Sequence, residues 1–331
     1  MKPSDFLAAP RGRFFALRYA MECAEKDGIY LPNMVADPSV LDMVKPRPLT
    51  PSFARDILAD TTGMAEYWTQ PSDLDRLALM PQIQNCLKRF ATVASQASAT
   101  SWWDDGVAFD QQWKVEWEVS NSRYEGEHPR EILRREQVDS QQLEIQEEQE
   151  FTGNFDVPRS GAWWSTPPAG LTQSTRELWD GTCAGMWWIE DSSEDLAVDS
   201  RPLAINTNNV YEIHSPHAWK YLCETYPRTV TAQKRYDWYR VTDLSGEWVT
   251  PDWFAVSNDY DGVYLSVAGY LRAGGLPIEI ETGVSSLIAG WNPDTTYWLT
   301  NIVQPAGEFI SWVIDEDSEN LDWCRAQHHP S

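Results

Sequence analysis

Apolar and polar residues alternate strictly along "QWKVEWEVS": Trp113, Val115, Trp117 and Val119 fall on one side, Lys114, Glu116, Glu118 and Ser120 on the other. That period of two predicts a half-buried strand. Upstream the period is helical. "RGRFFALRYAMECAEKDG" repeats its apolar positions at helix spacing and ends on Gly28. "LTPSFARDILADTTG" offers Thr50 as N-cap with Pro51 at the first helical position. "SDLDRLALMPQIQNCLKRFATVASQA" reads as one or two helices, kinked or broken at Pro81. Residues 1–105 are thus expected to form a helical region, and 106–331 a separate α+β part.

Beyond the first strand, Pro129 opens a long charged helix, "PREILRREQVDSQQLEIQEEQEF", whose acidic run from Glu144 to Glu150 is expected to be a solvated face. "SGAWWSTPPAGL" reads as a strand up to Thr166, stopped by Pro167 and Pro168. A helix is predicted around "STRELWDGTCAG" and a strand at "GMWWIED". "NNVYEI" is another strand, after which Ser215 caps and Pro216 starts a helix ending before Pro227. Thr250 and Pro251 repeat that device for "PDWFAVSNDY", and "DGVYLSVAGYL", "PIEIE" and "TTYWLT" complete a strand-rich C-terminal half. The order predicts an α+β fold on a mixed or antiparallel sheet, preceded by a helical N-terminal region.

Composition narrows the function classes. The chain has 331 residues, 42% hydrophobic and 23% charged, as in soluble globular proteins. No apolar run reaches the length of a membrane span, and Arg11, Arg13 and Arg18 interrupt the apolar N-terminus, so a cytoplasmic chain is expected. Five scattered cysteines without a C-x-x-C pair argue against a disulfide framework and a cysteine-rich zinc site. The net charge of −24 disfavours broad nucleic-acid binding; it suits solubility, a basic protein partner or mimicry of nucleic acid. Of eighteen tryptophans, thirteen lie from Trp163 onward. They fit packed cores and flat-ligand sites equally.

The stretch "GAWWSTP" sets two large rings beside Ser165 and Thr166, behind Gly161 and ahead of two prolines. Its plain reading is a strand with core tryptophans; its functional reading is a wall for a flat ligand. "HSPH" spaces His214 and His217 as a metal pair can be spaced, but Ser215 and Pro216 begin a helix between them and no third ligand is near, so no metal is implied. Neither a G-x-x-x-x-G-K loop nor a G-x-S-x-G elbow is present.

"GAWWSTP" resembles the aromatic-plus-hydroxyl strand motif of mono-ADP-ribosyltransferases, and "DGVYLSVAGYL" with "AGWNPDTTYWL" resembles the tail of actinobacterial proteins of that type. The resemblance covers residues 110–305 and implies an ADP-ribosyltransferase-like core with NAD as donor substrate. Carried over, Ser165 and Thr166 become orienting hydroxyls, and Trp163 or Trp164 becomes the nicotinamide wall. Gly161 lets the ligand approach the backbone, and Arg123 clasps the pyrophosphate, with His128 as the fallback. The catalytic acid is Glu281 or Glu279 of "PIEIETG", with Asp261 and Asp294 as rivals. Such a carboxylate stabilises the positive charge that develops on ribose as the nicotinamide bond breaks. Transfer to an unidentified macromolecular acceptor, as in a toxin or defence effector with an antitoxin partner, and simple NAD hydrolysis both fit. The alternative is a non-catalytic acidic binding protein that docks a partner on a tryptophan-rich face. For Arg123, Glu279 and Glu281 the ordinary account is surface charge.

Overall fold

The computed structural model describes residues 1–30, 34, 37–117, 126–155, 157, 160–190, 196–315 and 322–326. It opens with helices α1 (Asp5–Ala8), α2 (Pro10–Glu25), α3 (Pro51–Gly63), α4 (Asp73–Leu79) and α5 (Pro81–Gln96). Local chemistry sets their ends. Thr50 accepts the Phe53 amide ahead of Pro51, and Ser72 and Asp75 form a reciprocal capping box at α4. Pro81 cannot extend α4 and instead starts α5, so the predicted break is complete.

The strands and remaining helices follow as β1 (Gln112–Trp117), α6 (Pro129–Glu150), β2 (Gln173–Arg176), β3 (Ala197–Ile205), β4 (Val210–Ile213), α7 (Pro216–Thr225) and β5 (Pro227–Thr229). Next come α8 (Thr231–Thr242), β6 (Glu247–Pro251), α9 (Trp253–Val256), β7 (Gly262–Leu265), α10 (Val267–Ala273), β8 (Ile278–Glu281) and β9 (Val284–Ser286). The chain closes with β10 (Thr295–Trp298), β11 (Val303–Pro305), β12 (Ile310–Ile314) and β13 (Trp323–Arg325). One sheet has the order β13-β12-β3-β1-β2-β10-β7-β4, with β11 also on β3; the second is β5-β6-β9-β8. β4 runs parallel to β7 and β6 parallel to β9, while the other pairs are antiparallel, so both sheets are mixed and the fold is α+β.

Several expectations need correction. Residues 161–165 join no ladder and the chain bends at Thr166; the strand is β2, inside the stretch expected to be helical. β2 pairs on both sides, with Trp113↔Thr175 toward β1 and Thr296↔Ser174 toward β10, and the buried Ser174 hydroxyl bonds Gln112 at 2.5 Å. These lateral bonds outweigh the weak helix propensity of "QSTR". "GMWWIED" is no strand in its described part but a 3₁₀ turn, Ala184–Met186, after which Trp188 is buried and donates to the Arg55 carbonyl at 3.1 Å. Pro251 ends β6, and Asp252, not Thr250, caps α9 by accepting the Phe254 and Ala255 amides. "DGVYLSVAGYL" divides at Ser266, whose hydroxyl accepts the Gly269 amide and turns the chain from β7 into α10. The expected continuation of β1 through Val119 and Ser120 lies outside the described residues.

The N-terminal helices share their core with the sheet. One apolar cluster runs from Phe6 and Phe15 through Trp103 to Trp219, Trp253, Trp291 and Leu299, across the expected boundary at residue 105. Phe15 meets Trp103 edge-on at 5.3 Å. α2 approaches α10 so closely that a Cβ at Gly12 would lie 2.5 Å from the Leu271 carbonyl oxygen. A hydrogen atom is the only side chain that fits there.

A buried carboxyl fastens the same contact. Glu190 Oε1 accepts from the Tyr67 hydroxyl, between α3 and α4, and from the Tyr270 hydroxyl on α10, both at 2.7 Å. Burial pushes the Glu190 carboxyl up to about 7, against the opposing pull of the two tyrosine bonds and of the Arg11 cation. A carboxyl raised in this way stabilises the fold fully below its ordinary value of 4.5, and that contribution is lost as the pH rises through about 7. Wild-type stability is therefore expected to fall by roughly 3 kcal/mol between about pH 5 and pH 8 through this group. Glu190→Gln keeps an acceptor for both tyrosines and should flatten that slope, as read by urea denaturation at each pH. An unchanged slope would remove Glu190 as its source.

Candidate functional site

Helix α8 follows Val230, an N-cap residue whose side chain cannot cap it. Its first amides find acceptors on another helix. Glu144 of α6 takes the Ala232 amide at 2.7 Å and the Gln233 amide at 3.1 Å, one per carboxylate oxygen. Carboxylate at a helix N-terminus is favoured by the helix dipole as well as by these bonds. Two ion pairs continue the seam. Glu136 receives Arg228 Nη1 at 2.7 and 2.6 Å, and Glu148 pairs with Arg235. The acidic run of α6 is thus partly an inter-helix seam rather than only a solvated face.

The stretch 161–165 lies across the other side of α8, held through its main chain. The Gly161 amide donates to Asp237 at 2.7 Å, and a Cβ there would lie 2.7 Å from the Gln233 carbonyl oxygen. Lys234 Nζ donates to the Ala162 carbonyl at 2.5 Å and the Trp164 carbonyl at 2.6 Å; the Trp238 indole donates to the Trp163 carbonyl at 2.7 Å. Lys234, Asp237 and Trp238 stand three and four residues apart, on one face of α8. Ser165 then crosses to the chain after β9: its amide donates to the Ala289 carbonyl at 2.9 Å, and its hydroxyl accepts the Ala289 amide at 3.0 Å.

Between α6 and this stretch opens a cleft of about 200 Å³. Ile132, Leu143, Pro168 and Trp164 form its apolar wall, and Thr166 and Ser140 add hydroxyls. Arg135, Arg228 and Lys234 bring three basic groups beside Glu136 and Asp139; Arg228 is paired with Glu136 and Arg135 with Glu127 at 2.8 Å, on a chain whose net charge is −24. Trp164 is 47% exposed. Lys234 is 4% exposed, and burial, aided by the Arg228 cation, pulls its ammonium down to about 7 against nearby Glu136, Asp237 and Glu144.

The sequence-predicted residues divide. Trp164 and Thr166 line the cleft. Trp163 turns the other way, 4.7 Å from Trp68 and 6.0 Å from Tyr67, and packs on the small core of Tyr67, Trp238 and Trp248. Ser165 is buried, with its hydroxyl on the Ala289 main chain, and Gly161 admits the Gln233 carbonyl rather than open space. Glu279 and Glu281 sit on the exposed face of β8, the outer strand of the second sheet, and do not line the cleft. Asp261 accepts from Thr207 and Thr300, and Asp294 is buried against Arg176 at 2.8 Å and the Tyr264 hydroxyl at 2.7 Å. His128 caps α6 through Nδ1. Arg123 lies outside the described residues. Sequence reasoning missed Lys234, Arg228 and Glu136. "TAQKRYDWYR" carries no amphipathic stripe, because residues 232–238 are buried from several sides at once.

No family model matches the chain, and neither a curated protein nor a solved structure is similar to it. Among the described residues, no group of three or more His, Cys, Asp or Glu side chains could hold a metal ion, and no helix is long and apolar enough to cross a membrane.

The main-chain grip makes a stability prediction. Gly161→Ala and Ser165→Ala should each cost about 1–3 kcal/mol, the first by clash with the Gln233 carbonyl and the second by stranding the Ala289 amide. Urea denaturation measures both. A loss below the error of the fit would show that the 161–165 path tolerates slack.

Proposed function

We propose that the α6–α8 cleft binds a small molecule carrying a flat ring and a negatively charged group, with NAD-class nucleotides the first ligands to try. The observation that carries this reading is the half-exposed Trp164 standing in one cleft with Lys234 and with Arg228, itself paired with Glu136, on a strongly acidic chain. The ring offers a stacking face, and guanidinium and ammonium groups suit phosphate or carboxylate. The apolar lining of Ile132, Leu143 and Pro168 keeps water from a ring stacked there.

A catalytic reading, ADP-ribosyl transfer or NAD hydrolysis, draws on Trp164 and Thr166 of the transferase-like motif sharing this cleft with carboxylates. In that reading Glu136 or Asp139 replaces Glu281 as the group facing the developing ribose charge, because these two line the cleft and Glu281 does not. The acceptor is then unidentified, and the acidic surface favours a basic one.

The test is tryptophan fluorescence titrated with NAD, ADP-ribose and nicotinamide, followed by assay of free nicotinamide. Trp164→Ala is expected to weaken binding by about tenfold or more through loss of stacking. Binding without nicotinamide release supports a binder; release that Glu136→Gln abolishes supports the transferase. Binding untouched by Trp164→Ala would place the ligand elsewhere, and no binding of any of the three would retire the NAD-class reading.

A further inference from the structure

We propose that the outward face of α6 pairs with the same face of a second copy of this chain, forming an antiparallel two-fold dimer centred between Gln141 and Gln142. This holds whatever the cleft binds.

The residues on that face carry the proposal. α6 packs inward through Ile132, Leu133, Ser140 and Glu147. On its opposite side Glu131, Arg134, Val138, Gln141, Ile145 and Glu148 are all exposed and form one stripe along the helix. Val138 and Ile145, seven residues apart, are 44% and 61% exposed. β-branched side chains are poorer helix formers than the Glu, Gln and Arg around them, and on a solvated face they bury nothing in exchange. A facing surface would supply that burial.

Charge along α6 is divided as well. Arg130, Arg134 and Arg135 stand in its first two turns, whereas the last turn holds Glu147, Glu148 and Glu150 and no basic residue. The helix dipole favours acidic groups at the start and basic groups at the end, so this end of α6 runs against it. Contacts within the chain answer the mismatch only in part. Arg135 pairs with Glu127 and Glu148 with Arg235, yet the Arg135 and Glu148 side chains stay 44% and 66% exposed. Gln146 donates to Glu150. Arg130 donates to Asn258 and, with Arg134, lies over the Phe254 ring; among the described residues neither arginine has an ion pair.

An antiparallel copy of α6 meets both needs at once. With the axis between Gln141 and Gln142, Val138 faces the partner's Ile145 and Arg135 faces the partner's Glu148, because the members of each pair lie equally far from it along the chain. Symmetry makes each contact twice. The basic end of each helix lies on the acidic end of the other, and the two dipoles oppose. The net charge of −24 per copy repels at long range. Physiological salt confines that repulsion to about 8 Å, a range within which the facing charges touch. A single helix pair is a small interface, so the association belongs to the weak, concentration-dependent class.

The test is sedimentation equilibrium of the full chain at physiological salt, from about 1 to 300 μM, which spans the affinities of small interfaces. A monomer–dimer equilibrium is expected. Val138→Asp with Ile145→Asp should weaken it about tenfold or more, by placing carboxylates in the buried centre. Both sites are exposed in the single chain, so an unchanged Tm separates a lost contact from a lost fold. Cysteines read the orientation in a Cys324→Ser background, which removes the one exposed thiol among the described residues. Gln141→Cys, beside the axis, should link two chains on mild oxidation. Glu131→Cys should not, since the antiparallel pair holds it about 30 Å from its own copy. Linking at Glu131→Cys as readily as at Gln141→Cys indicates a parallel pair and overturns the arrangement. A dimer that the two aspartates leave intact overturns the assignment to α6. A chain monomeric throughout overturns the proposal and leaves this face to a partner of another sequence.

Discussion

A helix that starts without a capping side chain must find acceptors for its first amides, and α8 takes them from Glu144 on a different helix. Much of the local architecture follows from that borrowed cap. It fixes α6 alongside α8, with Glu136–Arg228 and Glu148–Arg235 setting register on either side. The far face of α8 is then free to grip residues 161–165, and the space left between α6 and that stretch is the cleft. Remove the Glu144 carboxylate and buried amides lose partners while two helices lose alignment, a larger penalty than an exposed ion pair ever carries.

The same economy operates at the centre of the molecule. Glu190 is buried with both tyrosine hydroxyls on one of its oxygens, and the tyrosines come from segments two hundred residues apart. With Gly12 pressed against the Leu271 carbonyl, this makes the N-terminal helices and α10 one packed unit. Protonation of a single internal group is thereby linked to the fit of the helical region on the sheet.

What could be read from sequence was what depends on local chemistry. Thr50–Pro51, Ser215–Pro216 and the break at Pro81 act within a few residues, and the structure carries them as predicted. The strand β1 shows because one of its faces packs on Trp312 and Met186 while the other does not. β2 and α8 were hidden for the opposite reason: each is enclosed on more than one side, so polar Ser174, Thr175, Gln233 and Lys234 lie inside and no periodic stripe survives. In the cleft, Trp164 and Thr166 were legible as an unusual pair of residue types. Their partners were not, because Lys234, Arg228 and Glu136 meet them only through the packing of α6 on α8.

From Gly161 to Ser165 the chain is held at every residue by a main-chain atom: an amide, three carbonyls, and then the Ser165 amide on the Ala289 carbonyl. The path of this loop is consequently independent of what its side chains are at positions 162 and 164. A different residue in place of Trp164 would change the chemistry of the cleft's wall without moving the chain that carries it, so lining and architecture can vary separately in descendants of this chain.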